Sequence, residues 1–285
     1  MLAFMFVVAM FLWEGYSEAS NLVRLPATRY SSAQKDIYYA DLIELALSKS
    51  TFDDFKIVFD HESRYQAYNL KQLEKKRIDI VWTMTSLERE NKFLPIRIPL
   101  LKGALGYRIC MIHRSEAETF EKLQSLNQFK ESKIMVGQGH DWPDIKILQQ
   151  NEIRTTSFHS YEGLFRALRA KRFDCFARGI HEIWDELSQY GDEDLVADKN
   201  IVFQYYSPSF FFVHNSQEKL AQALRTGLSK ALEDGSFDLL FERHWGAEIL
   251  KADLKNRLVI RLKNKTLSKE TAAIKSNPKF WLISE

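Results

Sequence analysis

From Asn21 onward the chain alternates short apolar runs with amphipathic stretches. Val23-Arg24-Leu25 reads as a strand, and Asp36 to Ser48 places Ile37, Ala40, Leu42, Ile43, Leu45, Ala46 and Leu47 at helical spacing. Lys56 to Phe59 returns to strand, a helix runs from Tyr65, a strand from Asp79 to Met84, and a long strand from Leu105 to His113. The pattern then restarts with a helix over Glu116 to Leu126, a strand over Lys133 to Gly137, a helix from Asp141 and a strand over Thr155 to Phe158. A helix from Ser160 leads to a strand over Phe173 to Ala177. Asn200 to Tyr206 and Ser209 to His214 are strand-like, followed by a helix over Gln217 to Glu233 and a shorter one over Phe237 to Trp245. Such alternation predicts an α/β protein whose sheets contain parallel pairs covered by helices.

One module occurs twice. Leu-x-x-Lys-Arg-x-Asp stands at Leu73, Lys76, Arg77 and Asp79, and again at Leu168, Lys171, Arg172 and Asp174. Each copy closes a predicted helix and opens an apolar strand, so two similar lobes with a cleft between them are expected. The final helices are expected to return to the first lobe. That gives residues 20–108 with 205–246 as lobe 1 and residues 109–204 as lobe 2, with crossings near Tyr107 to His113 and Ile201 to Ser207 acting as a hinge. Residues 247–285 form a polar tail with a strand-like Leu258 to Leu262 and an apolar Phe280-Trp281-Leu282, expected to pack on a lobe; the alternative is a surface for a partner protein.

Composition narrows the class. A hydrophobic fraction of 45% is ample for real cores, and 40 basic against 38 acidic residues are spread without the basic stripe of a nucleic-acid binder. Met1 to Trp13 is almost wholly apolar and Ser17-Glu18-Ala19 offers small residues for a signal peptidase, so residues 1–19 read as a cleaved export signal despite lacking Lys or Arg near Met1. A short buried helix or an uncleaved anchor are the alternatives. Loss of Glu14 and Glu18 with that segment moves the formal charge from +2 to +4. Nothing later is long and apolar enough to span a membrane. Cys110 and Cys175 lie in different predicted strands, and two buried thiols are expected in preference to a disulfide. No Cys/His spacing suggests a metal site.

Lys76 to Pro99, KRIDIVWTMTSLERENKFLPIRIP, together with the ending Leu232-Glu-Asp-Gly-Ser-Phe-Asp to Trp245-Gly246, resembles the type 2 periplasmic solute-binding proteins of the polar amino-acid class, solute-binding protein family 3, in a divergent form. The resemblance spans about Leu22 to Gly246. It implies the two-lobed periplasmic-binding-protein type 2 fold, each lobe a mixed sheet flanked by helices. In that family a Thr-x-x-Arg turn grips the ligand carboxylate, since a guanidinium offers two parallel donors. Ser86 and Arg89 stand at the matching positions; the other reading of Arg89 is a solvated member of the run Glu88-Arg89-Glu90. Val136-Gly-Gln-Gly139-His-Asp-Trp-Pro143 falls where the family opens a helix with Gly-Thr, which makes Gln138, His140 and Trp142 cleft candidates and Asp141 a cap. Where amino-acid binders place an aspartate for the ligand ammonium, this chain has Gly179 beside Arg178, which tilts the expectation toward an anionic ligand; Glu182 or Asp185 are possible substitutes. Tyr30, Trp82, Trp142 and Tyr161 are the aromatic candidates.

The resemblance thus implies an exported, periplasmic, monomeric binder of a small polar, carboxylate-bearing or otherwise anionic solute, working with an ABC-type permease or a sensor, without cofactor, metal or nucleic acid. No GxSxG, HExxH, P-loop or GxGxxG is present. The rival classes are a cleft enzyme of the dehydratase kind and a scaffold that acts through its tail.

Overall fold

The repeated module explains itself once folded. In the computed structural model, which describes residues 21–26, 33–60 and 66–282, helix α2 (Gln66–Glu74) and helix α7 (Tyr161–Arg169) end in the same way. Lys76 (φ 57°) and Lys171 (φ 52°) both turn left-handed. Lys76 N–H then donates to Leu73 O (3.0 Å) and Arg77 N–H to Gln72 O (2.9 Å), matched by Lys171 to Leu168 O (2.9 Å) and Arg172 to Ala167 O (2.9 Å). This is a Schellman closure with lysine where glycine is usual. Each aspartate then ties the following strand to its neighbour. Asp79 N–H donates to Arg24 O and its Oδ2 accepts from Arg24 N–H, both at 2.8 Å; Asp174 treats Met135 the same way, at 2.9 and 2.8 Å. The motif therefore encodes a helix stop and a strand register in each lobe.

The first sheet region pairs β1 (Asn21–Pro26) parallel with β2 (Phe55–Asp60), and β3 (Ile80–Met84) with β11 (Ser209–Val213), which also pairs antiparallel with β4 (Leu94–Ile96). The Asp79–Arg24 bonds join the two parts. All five residues of β11 are buried: Phe210 and Phe212 pack with Leu73, Val81 and Phe93, while Phe211 and Val213 join the main core, so both faces of this strand are covered. Helices α1 (Ala33–Ser48), α9 (Glu218–Glu233) and α10 (Ser236–Lys251) cover this region. Gly227 permits the close approach of α9 to α1, since a Cβ there would meet Ala46 O at 1.7 Å.

The second sheet runs β12-β10-β5-β8-β6-β7, built from β5 (Tyr107–His113), β6 (Val136–Gly139), β7 (Thr155–Phe158), β8 (Cys175–Gly179), β10 (Ile201–Gln204) and β12 (Leu258–Arg261). A further strand, β9 (Leu195–Ala197), takes the far half of one edge of β5. Helices α4 (Ala117–Glu121), α5 (Leu126–Glu131), α6 (Asp144–Gln150), α7 and α8 (Ile183–Tyr190) belong to this half. The helix expected over Glu116 to Leu126 stops at Glu121, and a second helix starts at Leu126 after Ser125, whose Oγ accepts from Gln128 N–H. Helix α10, expected to be short, is as long as α9. Cys110 on β5 and Cys175 on β8 form a disulfide (Cα–Cα 5.0 Å), which corrects the expectation of two thiols: the adjacent antiparallel strands bring the two side chains to one place.

The two passages between the sheet regions run side by side, with Tyr205 N–H donating to Gly106 O (3.0 Å). The tail touches both regions. Its β12 pairs parallel with β10, Asn151 at the end of α6 exchanges hydrogen bonds with Lys263, and Leu87 N–H, at the start of helix α3 (Leu87–Lys92), donates to Thr266 O (3.0 Å). Helix α11 (Lys269–Ala273) then presents Thr271 and Ser268, whose hydroxyls donate to Glu90 at 2.6 and 2.7 Å. The export-signal expectation for residues 1–19 and the cleft role expected of Tyr30 lie outside the described residues.

Candidate cleft between the sheet regions

A cavity of about 260 Å³ opens between the two regions. Trp82, Thr83, Met84, Gln66 and Tyr39 line it from the first; Arg108, Trp142, Asp144, Tyr161, Arg178 and Glu182 line it from the second. Of the sequence candidates, Trp82, Trp142, Tyr161 and Arg178 are wall residues. Trp82 stacks on Tyr39 (4.7 Å between centroids), and Trp142 lies over Gly139, where a Cβ would meet its ring at 2.5 Å.

Arg89 is buried immediately behind the wall. Ser86 caps α3 by accepting from Arg89 N–H (3.3 Å), which aims the arginine side chain inward from the first turn. One terminal nitrogen donates to Thr83 Oγ1 (2.7 Å) and Met84 O (2.6 Å); the other donates to Gln66 Oε1 (2.6 Å) and, across the interface, to Asp141 O (3.3 Å). The residues supplying all four acceptors line the cavity. None of the acceptors is charged. Burial lowers the Arg89 pKa to about 10, opposed by Asp141, Asp144 and Glu88, so the group is a cation at neutral pH.

Arg178 is held differently. Its Nε and one terminal nitrogen meet the two oxygens of Glu186 at 2.6 Å each, a bidentate pair, and Glu182 lies at 3.1 Å. Its guanidinium sits 4.7 Å from the Trp142 centroid and 4.8 Å from that of Phe176. Tyr161 Oη donates to Glu186 Oε1 (2.6 Å). Burial works to lower the Arg178 pKa, but Glu182, Glu186 and Tyr161 outweigh it and raise it well above the usual arginine value. Burial, then Glu186, raises Tyr161. A third buried arginine, Arg108, meets Asp144 (2.9 Å) and Glu182 (3.4 Å), and Tyr205 Oη donates to Asp144 (2.5 Å).

The remaining candidates lie elsewhere. Gln138 is fully buried within the second sheet and donates to Ala177 O (3.1 Å). His140 is exposed, its ring 4.1 Å from that of His159, which does line the cavity. Asp141 precedes α6 by three positions and contributes its carbonyl; Pro143 takes the cap position. A Cβ added at Gly179, where the resemblance places an aspartate, would sit 2.9 Å from Glu182 Oε2, so a carboxylate reaches that neighbourhood from the next turn. Arg108, Asp144, Tyr205 and Glu186 were not singled out from sequence. Glu186 had a signal there: Arg178, Glu182 and Glu186 repeat every four residues.

No family model and no curated protein sequence matches this chain. Solved structures do. An amino-acid ABC transporter substrate-binding protein from Streptococcus pneumoniae, bound to L-arginine, is similar at a TM-score of 0.59 and 13% identity over 79% of this chain and 94% of that one. An ancestral amino-acid-binding protein described as a precursor of cyclohexadienyl dehydratase gives 0.57 and 14% over 79% and 96%. The Nostoc punctiforme GluR0 ligand-binding core with L-glutamate gives 0.53 and 14% over 79% and 98%. These likenesses carry the fold: the chain has the two-lobed periplasmic-binding-protein architecture expected from its sequence.

Proposed function

We propose that the protein is an exported solute-binding protein, monomeric and periplasmic once residues 1–19 are removed, whose lobes (residues 20–108 with 205–246, and residues 109–204) close over a small carboxylate-bearing solute and present the closed form to a permease or sensor. The observation that carries this is Arg89, a buried cation with only neutral acceptors, placed where the two regions meet. An incoming carboxylate takes the Gln66 and Asp141 positions, both on one terminal nitrogen of Arg89. The similar folds that bind arginine or glutamate support the solute-binding reading.

The anionic preference drawn from Arg178 loses its footing, because that arginine is neutralised internally. Arg89, Arg108 and Arg178 face Asp144, Glu182 and Glu186, a balance that favours a net-neutral solute carrying one carboxylate. Binding without turnover follows from the same geometry: each of these carboxylates accepts from an arginine, a fixed-charge arrangement poorly suited to proton transfer. The likeness to a dehydratase precursor makes turnover the reading to exclude.

A melting-temperature screen of residues 20–285 against neutral amino acids, dicarboxylates, keto acids and small phosphates tests this, since a ligand at about one hundred times its Kd adds about 2.7 kcal/mol of stability. A shift with neutral amino acids or monocarboxylates that disappears in Arg89→Lys supports the proposal. Silence across the panel, or consumption of the bound compound, overturns it.

A further inference from the structure

A second concavity is built where the tail runs past the two interlobe passages, and it shares no lining residue with the cleft. One wall comes from Lys102–Tyr107 and Gln204–Ser207, the other from the tail segments around Leu254–Lys265 and Lys275–Leu282. Six basic residues line it, Lys102, Lys255, Arg261, Lys263, Lys265 and Lys275, and no Asp or Glu does. In a chain with 40 basic and 38 acidic residues, this is a local segregation of charge. Lys102 is engaged by Asp238 (2.5 Å) and Lys279 O (3.1 Å). Among the described residues the side chains of Lys255, Arg261, Lys263 and Lys265 enter no ion pair.

The polar atoms at the base add an independent sign. Trp281 Nε1 and Gln204 Oε1 are shielded from solvent and have no hydrogen-bond partner among the described residues. A buried donor left unmade is costly, and an anionic oxygen reaching the Trp281 N–H would complete it, whereas the Gln204 oxygen is an acceptor that asks for a donor. Trp281 is held in place: it packs on Tyr206 (4.8 Å between centroids), rests against Gly103, whose φ of +79° brings the backbone under the ring, and is followed by Leu282 N–H donating to Lys102 O (2.8 Å).

We propose that this groove is a second binding site, for a small soluble polyanion carrying phosphoryl groups. Lysines act as point charges toward phosphoryl oxygens, several converging ones favour a multivalent anion over a monocarboxylate, and a two-walled concavity fits a discrete molecule better than a flat lipid surface. The site shares no lining residue with the cleft and lies on the passages between the lobes.

Inorganic tripolyphosphate is the probe, titrated into the full mature chain while the tryptophan indole N–H resonances are followed, with Trp281 assigned from Trp281→Phe. A saturable shift of the Trp281 resonance is expected, retained in Arg89→Lys. Lys263→Gln/Lys265→Gln/Lys275→Gln weakens binding by about tenfold or more, whereas Lys75→Gln/Lys130→Gln/Lys219→Gln, equal in charge and outside the groove, leaves it unchanged. An unmoved Trp281 resonance, or equal weakening by the two triple variants, overturns the site. Capture by phosphatidylglycerol vesicles without any response to tripolyphosphate overturns the soluble ligand.

Discussion

Arg178 lines the cleft from one sheet region and Arg89 lies buried just behind its wall in the other, and the two are held in opposite ways. Arg89 spends its terminal N–H groups on a hydroxyl, an amide and two carbonyls. Arg178 is locked by two carboxylates and lies against the rings of Trp142 and Phe176. Neutral acceptors leave a cation's charge uncancelled and free to attract an anion; carboxylates cancel it. Two arginines that look alike in sequence are therefore different groups: Arg178 is fixed in the wall, and Arg89 keeps an uncancelled charge behind it.

The largest effect that sharpens this contrast is expected on stability. Arg178→Gln leaves Glu186 buried without its cation and costs about 3–5 kcal/mol in urea unfolding; a variant of undiminished stability that has lost solute binding would exchange the two roles. The second region is also braced by Cys110–Cys175, 65 residues apart, and reduction or Cys110→Ala/Cys175→Ala removes about 4 kcal/mol on the loop-closure account. Arg89→Lys keeps the charge but loses the placed donors of the guanidinium: solute affinity drops by about 100-fold, near 2.7 kcal/mol, by calorimetry. Equal affinity breaks the comparison at its centre.

The smallest effect concerns the support of α3. Glu90 accepts from Thr271, Thr85, Ser268 and Arg97, and although burial works to raise its pKa these bonds lower it. A carboxylate with a depressed folded pKa gives stability that is whole above the unfolded value near 4.5 and lost as pH falls through the folded one. Glu90→Gln should flatten the fall in urea midpoint below about pH 4.5; an unchanged acid limb removes Glu90 from the account.

The alternation of apolar runs foretold both sheet regions, because strand and helix periods are local properties. Lys76 and Lys171 announced their turns through a repeated sequence, although it was the folded chain that gave the repeat its meaning as helix stop and strand tie. The cleft was less legible. Trp142 and Arg178 came from family-like positions and Trp82 and Tyr161 from aromatics on the repeated module, but Arg178 without Glu186 reads as an anion site and with it as a wall. Arg108 and Asp144 meet only because β5 and the start of α6 are neighbours in space, and no spacing along the chain reports that. The tail's contacts with α3 and α6 were hidden for the same reason: Ser268 is an ordinary cap and Thr271 an ordinary helical residue until Glu90 stands beside them.

The order of strands along the chain also sets a timetable. Thr83 on β3 pairs with Phe210 on β11, so the first sheet region lacks its central strand until most of the chain exists. The stretch between them carries nearly the whole second sheet and both cysteines. Synthesis from the N-terminus delivers the pieces of the first region early, yet the second is the one able to close first, with its disulfide, because its pairings span shorter loops. Strand β12 is the last strand to arrive, so an edge of the second sheet is sealed only after every strand of the first region has been made, and α11 follows to brace Glu90.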